Sequence, residues 1–172
     1  LDRRRDEIEQ HARLAAADSD ALYAVIDKRC NLALARQVGI ACPAQFELEN
    51  IEQLPQLIAE LGFPMVLKPP GSPYDPRLPS FPFKVLYANN ESQLRAYLDL
   101  YGAGGIFPIF QEYVTGQSRN LCCFAVGGEI VAIHEHLSHR SLKGHGVFRE
   151  VITPTPEGVD GARKMLRALH WD

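Results

Sequence analysis

From Leu61 to Gly71 the chain reads Leu-Gly-Phe-Pro-Met-Val-Leu-Lys-Pro-Pro-Gly, and this run dictates more of the fold than any other. Gly62 is suited to closing a preceding helix, and Pro64 stops that helix from resuming. Met65-Val66-Leu67 then predicts a short buried strand. Lys68 follows where the apolar run stops, ahead of a Pro-Pro-Gly turn. A cation so placed suits an anion, phosphate above all. The plainer reading is a lysine at the solvent edge of a core strand.

Other elements fall into order around this strand. Helical composition runs from about Arg3 to Ala17, with Ile8, His11, Leu14 and Ala15 on one stripe. Asp18-Ser19-Asp20 reads as a loop or cap cluster. Asp27 is a good N-cap for a helix that Gly39 ends, and Pro43 leads into an extended segment from Ala44 to Leu48. Asn50 caps a further helix with Ile51, Leu54, Leu57, Ile58 and Leu61 at helical spacing.

The six prolines between Pro69 and Pro82 then exclude helix and central strand. A loop of this length is usually functional or mobile. A strand over Phe83–Tyr87 follows, then a helix capped by Asn89 or Asn90, and a strand from Ile106 to Val114 that turns polar at its end. Beyond Gly116 the pattern is hairpin-like. Strands are expected over Leu121–Val126 and Glu129–Leu137, joined at Gly127-Gly128, with a third over Val147–Thr153. Thr155 or Pro156 opens a last helix. The class is α+β, with a helical lead-in over residues 1–42, a small α/β subdomain over 43–115, and an antiparallel sheet subdomain over 116–172.

Composition narrows the function. Apolar residues at 46% allow a real core, and a net charge of −3 carries no basic footprint for nucleic acid. No apolar run approaches the roughly 20 residues that cross a bilayer. Cys30, Cys42, Cys122 and Cys123 show no C-x-x-C spacing. The adjacent pair would point to opposite faces of a strand, against a shared metal or mutual bridge. The thiols read as reduced and the location as cytoplasmic. The chain begins without methionine and stops just after an amphipathic helix, which reads as a piece of a longer polypeptide.

Three pieces in this order resemble the ATP-grasp superfamily, in its carboxylate–amine ligase and carbamoyl-phosphate-synthase-like branch. They are Asp27-Lys28 opening a helix that ends in Val38-Gly39-Ile40; Leu61 to Pro69; and Phe110-Gln111-Glu112-Tyr113-Val114-Thr115-Gly116 before a hairpin. His139-Arg140 through Gly144 and Arg149 resembles the second half of the same fold. The resemblance implies a nucleotide held between two α+β subdomains. It implies Lys28, Lys68 and Lys84 at the phosphates of ATP, Gln111, Glu112, Tyr113 and Val114 along adenine, and Arg140 and Arg149 at the acyl group. Small-molecule carboxylate and amine substrates follow from it, and self-association into a homo-oligomer is left open.

Two departures from the family pattern stand out. A proline-rich segment, Gly71 to Ser80, lies where many members carry a glycine-rich phosphate lid. Ser118 and Asn120 stand near the place of an acid that binds ribose, which leaves Glu112 to serve. The Mg2+ ligands implied by the family, a Glu and a Glu-x-Asn pair, are expected past Asp172.

Two other readings have different origins. A non-catalytic nucleotide-binding or subunit-interaction module is favoured by the proline-rich loop. A metal protein is suggested by His134-Glu135-His136 with His139 and His145, since His134 and His136 share one strand face. No Cys or Asp close by in the chain completes a tetrad there.

Overall fold

Short polar side chains start most of the helices. In the computed structural model, which describes residues 4–14, 16–70, 83, 85–101, 107–142 and 145–171, the Asp18 carboxylate accepts from the Ala21 N–H at 2.8 Å. It thereby starts a helix, α2 (Ser19–Ile26), after the short α1 (Arg5–Glu9). Of the helix expected to Ala17 only Arg5–Glu9 is helical among the described residues, and α2 lies beyond it, where the sequence offered a loop or cap. The Asp27 carboxylate accepts from the Arg29 N–H at 2.8 Å and opens α3 (Lys28–Gln37). Asn50 and Gln53 form a reciprocal capping box over a 3-10 turn at Ile51–Gln53, which runs into α4 (Leu54–Leu61). Asn90 accepts from the Gln93 N–H at 2.9 Å and starts α5 (Glu91–Tyr101).

The chain divides into two compact units, one of residues 26–36 and 41–116, the other of residues 1–25, 37–40 and 117–172. The expected lead-in over residues 1–42 is shared between them.

The first unit is built on a four-stranded sheet of β1 (Gln45–Glu47), β2 (Met65–Lys68), β3 (Leu86–Ala88) and β4 (Ile109–Glu112), in the order β1-β4-β2-β3. All three pairings are antiparallel. In β4–β2 register Phe110 lies opposite Leu67 and also opposite Phe46 of β1. These residues, with Leu54 and Leu57 of α4 and Leu94 and Leu98 of α5, form the core. Because side chains alternate, Val66, Lys68, Ile109 and Gln111 occupy the other face.

The second unit carries a three-stranded antiparallel sheet, β5 (Arg119–Val126), β6 (Glu129–Leu142) and β7 (His145–Ile152). Gly127 and Gly128 turn the β5–β6 hairpin at φ 59° and 75°, a turn that needs left-handed backbone at both residues. β6 runs five residues past the expected Leu137, because β7 pairs with it as far as Leu142. Thr155 caps α6 (Pro156–Ala168), its hydroxyl accepting from the Gly158 N–H at 3.2 Å. Gly158 permits this close packing: a Cβ there would lie 2.9 Å from Thr155 Oγ1 and 3.0 Å from Leu121 Cδ1.

Glu135 fixes this junction. It is only 3% exposed, its Oε2 accepts from the Thr155 N–H at 2.8 Å, and its Oε1 lies 3.3 Å from the Arg119 guanidinium. Glu135→Gln keeps an acceptor for Thr155 but loses the charge opposite Arg119. It is expected to cost about 1–2 kcal/mol in urea unfolding, the scale of one charged hydrogen bond exchanged for a neutral one.

Candidate phosphate-binding site

The sequence around Lys28 and Lys68 folds so that the two lysines meet. Pro69 and Pro70 end β2 and cannot extend its ladder. The Pro70 carbonyl instead accepts the Lys28 N–H at 2.8 Å, which pins the first turn of α3 to the end of β2. Arg29, one residue on, pairs with Glu47 of β1 at 2.9 Å and seats α3 against the same sheet. Lys28 and Lys68, forty positions apart, thus become neighbours, both half-buried.

Their titration carries the mark of that meeting. Burial pushes the Lys68 ammonium down from its ordinary range, and repulsion from Lys28 pushes it further. Burial also lowers Lys28, against the opposing pull of Asp27. Among the described residues no carboxylate pairs with Lys68. A partly desolvated ammonium beside a like charge, as Lys68 is beside Lys28, costs free energy unless an anion joins it. The first turn of the ten-residue helix α3 adds positive potential at the same spot.

Gln111 shares the Lys68 face of the sheet and is 3% exposed. Tyr113 follows β4 and packs edge-to-face on Tyr87 of β3, ring centroids 5.9 Å apart. Tyr87 had no sequence signal, since only the register Val66↔Tyr87 and Val66↔Gln111 brings it there. Val114 is exposed beyond the strand end. Glu112 points to the opposite face. Its Oε1 accepts the Ala44 N–H at 2.8 Å, and its own N–H donates to the Ala44 carbonyl at 3.0 Å. That oxygen fastens the start of β1 to β4, so the ribose role expected of Glu112 has to compete with a structural one. Met65↔Glu112 and Lys68↔Ile109 set the polar end of β4 and Lys68 at opposite ends of the strand pair, about 10 Å apart at the usual rise.

Lys84 and the loop over 71–82 lie outside the described residues. Arg140 and Arg149 belong to the second unit, both exposed, on β6 and β7. Arg149 lies across Gly146, where a Cβ would come within 2.5 Å of its Nε. His139 makes a 2.7 Å contact with Glu150 and stands apart from His134 and His136. The described residues contain no helix long and apolar enough to cross a membrane.

A four-stranded antiparallel sheet with α4 and α5 on its core side, followed by a second antiparallel sheet with its own helix, is the ATP-grasp fold. Solved structures similar to this chain carry it. An N5-carboxyaminoimidazole ribonucleotide synthetase in complex with ADP superposes with a TM-score of 0.69 over 99% of this chain and 45% of its own, at 17% identity. D-alanine–D-alanine ligase from Bacillus anthracis in complex with ATP gives 0.63, over 98% and 54%, at 19% identity. The ATP-grasp ligase PsnB in complex with its minimal precursor, Mg and ADP gives 0.60, over 94% and 47%, at 18% identity. This chain therefore spans about half the length of the structures it matches. No family model and no curated protein matches its sequence.

Proposed function

We propose that this chain is the ATP-binding part of an ATP-dependent ligase acting on small molecules in the cytoplasm. The observation that carries the reading is the meeting of Lys28 and Lys68, two half-buried cations that repel one another at the end of β2. The likeness in fold to ligases solved with ADP or ATP supports it. In this reading Lys28 and Lys68 hold the phosphates, with Lys84 as a third cation. Adenine lies along Gln111 to Val114, where Tyr113 and Val114 offer backbone beyond the β4 ladder and Glu112 orients that segment through Ala44.

The reaction proposed for the whole ligase has two steps. A carboxylate (or bicarbonate) oxygen attacks the γ-phosphorus, and ADP leaves, giving an acyl phosphate. An amine or similar nucleophile then attacks the acyl carbon, and phosphate leaves with the bonding pair. Arg140 and Arg149 would orient the acyl oxygens, since a planar guanidinium matches two oxygens at once. Mg2+, when bound, would neutralise charge on the transferring phosphoryl group. Magnesium favours hard oxygen ligands. Among the described residues the only group of three or more candidate metal ligands is a cysteine with two histidines. The magnesium site is therefore not assigned to these residues.

Calorimetric titration with ADP and ATP, each with and without Mg2+, tests the reading. Adenine-dependent binding at millimolar nucleotide or below is the expected result, and heat from inorganic phosphate alone matching that from ADP would overturn the adenine assignment.

The lowered lysines add a pH dependence. Each binds phosphate as an ammonium, and its depressed pKa means that the proton is lost earlier in an alkaline titration. Affinity for ADP is expected to fall as pH rises through those lowered values, and binding there should take up protons as the bound anion raises them again. Titration in two buffers of different ionisation enthalpy measures that uptake, and its absence would separate the lysines from the phosphates.

A further inference from the structure

The hairpin β5–β6 brings together a second set of groups unrelated to the lysines. Cys122 lies directly opposite His134 in the antiparallel register, and His136 follows two residues later on the same face. One ligand atom from each lies within 4.8 Å of the others. The two imidazoles pack edge-to-face with centroids 4.6 Å apart. Nδ1 of His136 is buried without a hydrogen-bond partner among the described residues. A buried imidazole nitrogen normally has its proton state fixed by a hydrogen bond or a metal.

The neighbouring groups are accounted for. Glu135 points to the other face and is taken up by Thr155 and Arg119. Cys123 also alternates to that face, and burial pushes its thiol up, with Cys122 adding to the effect. His139 is engaged by Glu150.

We propose that Cys122, His134 and His136 form a binding site for a borderline divalent metal ion of the zinc class, with a fourth position open to water or a ligand. Thiolate with two imidazoles is a donor set that zinc takes readily, whereas magnesium does not. Tetrahedral zinc sets N and S ligands roughly 3.5 Å apart, given bonds of ~2.0–2.1 Å to nitrogen and ~2.3 Å to sulfur. Binding requires side-chain rotation to close the difference from the observed spacing, and Cys122 and His134 are exposed and His136 only partly buried. The sequence offered the two histidines with no nearby Cys or Asp to complete a tetrad, and the structure adds Cys122 as a third group. Cys122 is twelve residues from His134 in the chain, and the tight Gly127-Gly128 turn folds it back across the hairpin.

The test uses the chain freed of metal with EDTA and titrated with zinc against a chromophoric chelator. One zinc per chain is expected. Cys122→Ser and His136→Ala should each weaken it at least about 100-fold, the upper end of what even outer-shell partners cost. Cys123→Ser and His139→Ala should leave it unchanged. Because the three groups lie at the surface of a hairpin, circular dichroism of the variants should match that of the parent. Should a variant fail to fold, cobalt(II) added to the parent decides: a thiolate-to-cobalt charge-transfer band with tetrahedral d–d absorption is expected. Absence of that band, or zinc affinity in Cys122→Ser equal to the parent, would overturn the site.

Discussion

Replacing Phe110 by alanine is expected to destabilise the first unit by about 3–5 kcal/mol, the range for truncating a fully buried phenylalanine. Phe110 is 0% exposed. It stands in β4, the strand between β1 and β2, facing Phe46 on one side and Leu67 on the other. The cavity would open beneath α4 and α5, where Leu57 and Leu94 are equally buried and well-packed neighbours relax only in part. By contrast Val114→Ala, four residues along and 63% exposed, should stay within about 0.5 kcal/mol of the parent. Urea unfolding followed by far-UV circular dichroism makes the comparison, since Trp171, the only tryptophan, belongs to the other unit. Equal midpoints for the two variants would mean that β4 is not the centre of that core.

How much of this was legible beforehand follows from the range of each interaction. Caps at Asp27, Asn50, Asn90 and Thr155 and the turn at Gly127-Gly128 depend on residues within four positions, so local chemistry specified them. Met65 to Lys68 was legible as a strand because apolar residues and proline boundaries coincide there. Helix α2 was not, because Asp18-Ser19-Asp20 reads equally well as a loop, and only Asp18 accepting from Ala21 resolves it. The partnerships that matter most cross the sheets. Lys28 reaches Lys68 through a backbone bond to Pro70, Glu112 is tied to Ala44, and Cys122 meets His134. The last two depend on strand register and the first on where the start of α3 docks against the end of β2, and periodicity in a single segment encodes neither. Thus the ATP-grasp likeness of the two halves and the shared face of His134 and His136 could be read from ordered motifs, while the commitment of Glu112 and the place of Cys122 opposite His134 could not.

Lys68→Ala is the variant in which binding and stability should part company. As a charged hydrogen bond to phosphate is worth about 1.5–3 kcal/mol, ADP affinity is expected to fall by roughly 10- to 150-fold. Fold stability near neutral pH should be unchanged or slightly raised. The sign follows from the pKa directions. A lysine held below its unfolded value destabilises the fold while protonated, and that penalty fades only as pH climbs through the lowered value toward the unfolded one. Removing Lys68 therefore relieves its own desolvation and its repulsion of Lys28. A lysine that merely marked the solvent edge of a strand would give neither effect. The double variant with Lys28→Ala extends the argument, because lysines sharing one phosphate group should lose less together than the sum of their separate losses. Strictly additive losses would assign the two ammonium groups to separate anions, and undiminished ADP affinity in Lys68→Ala would remove the end of β2 from the nucleotide site.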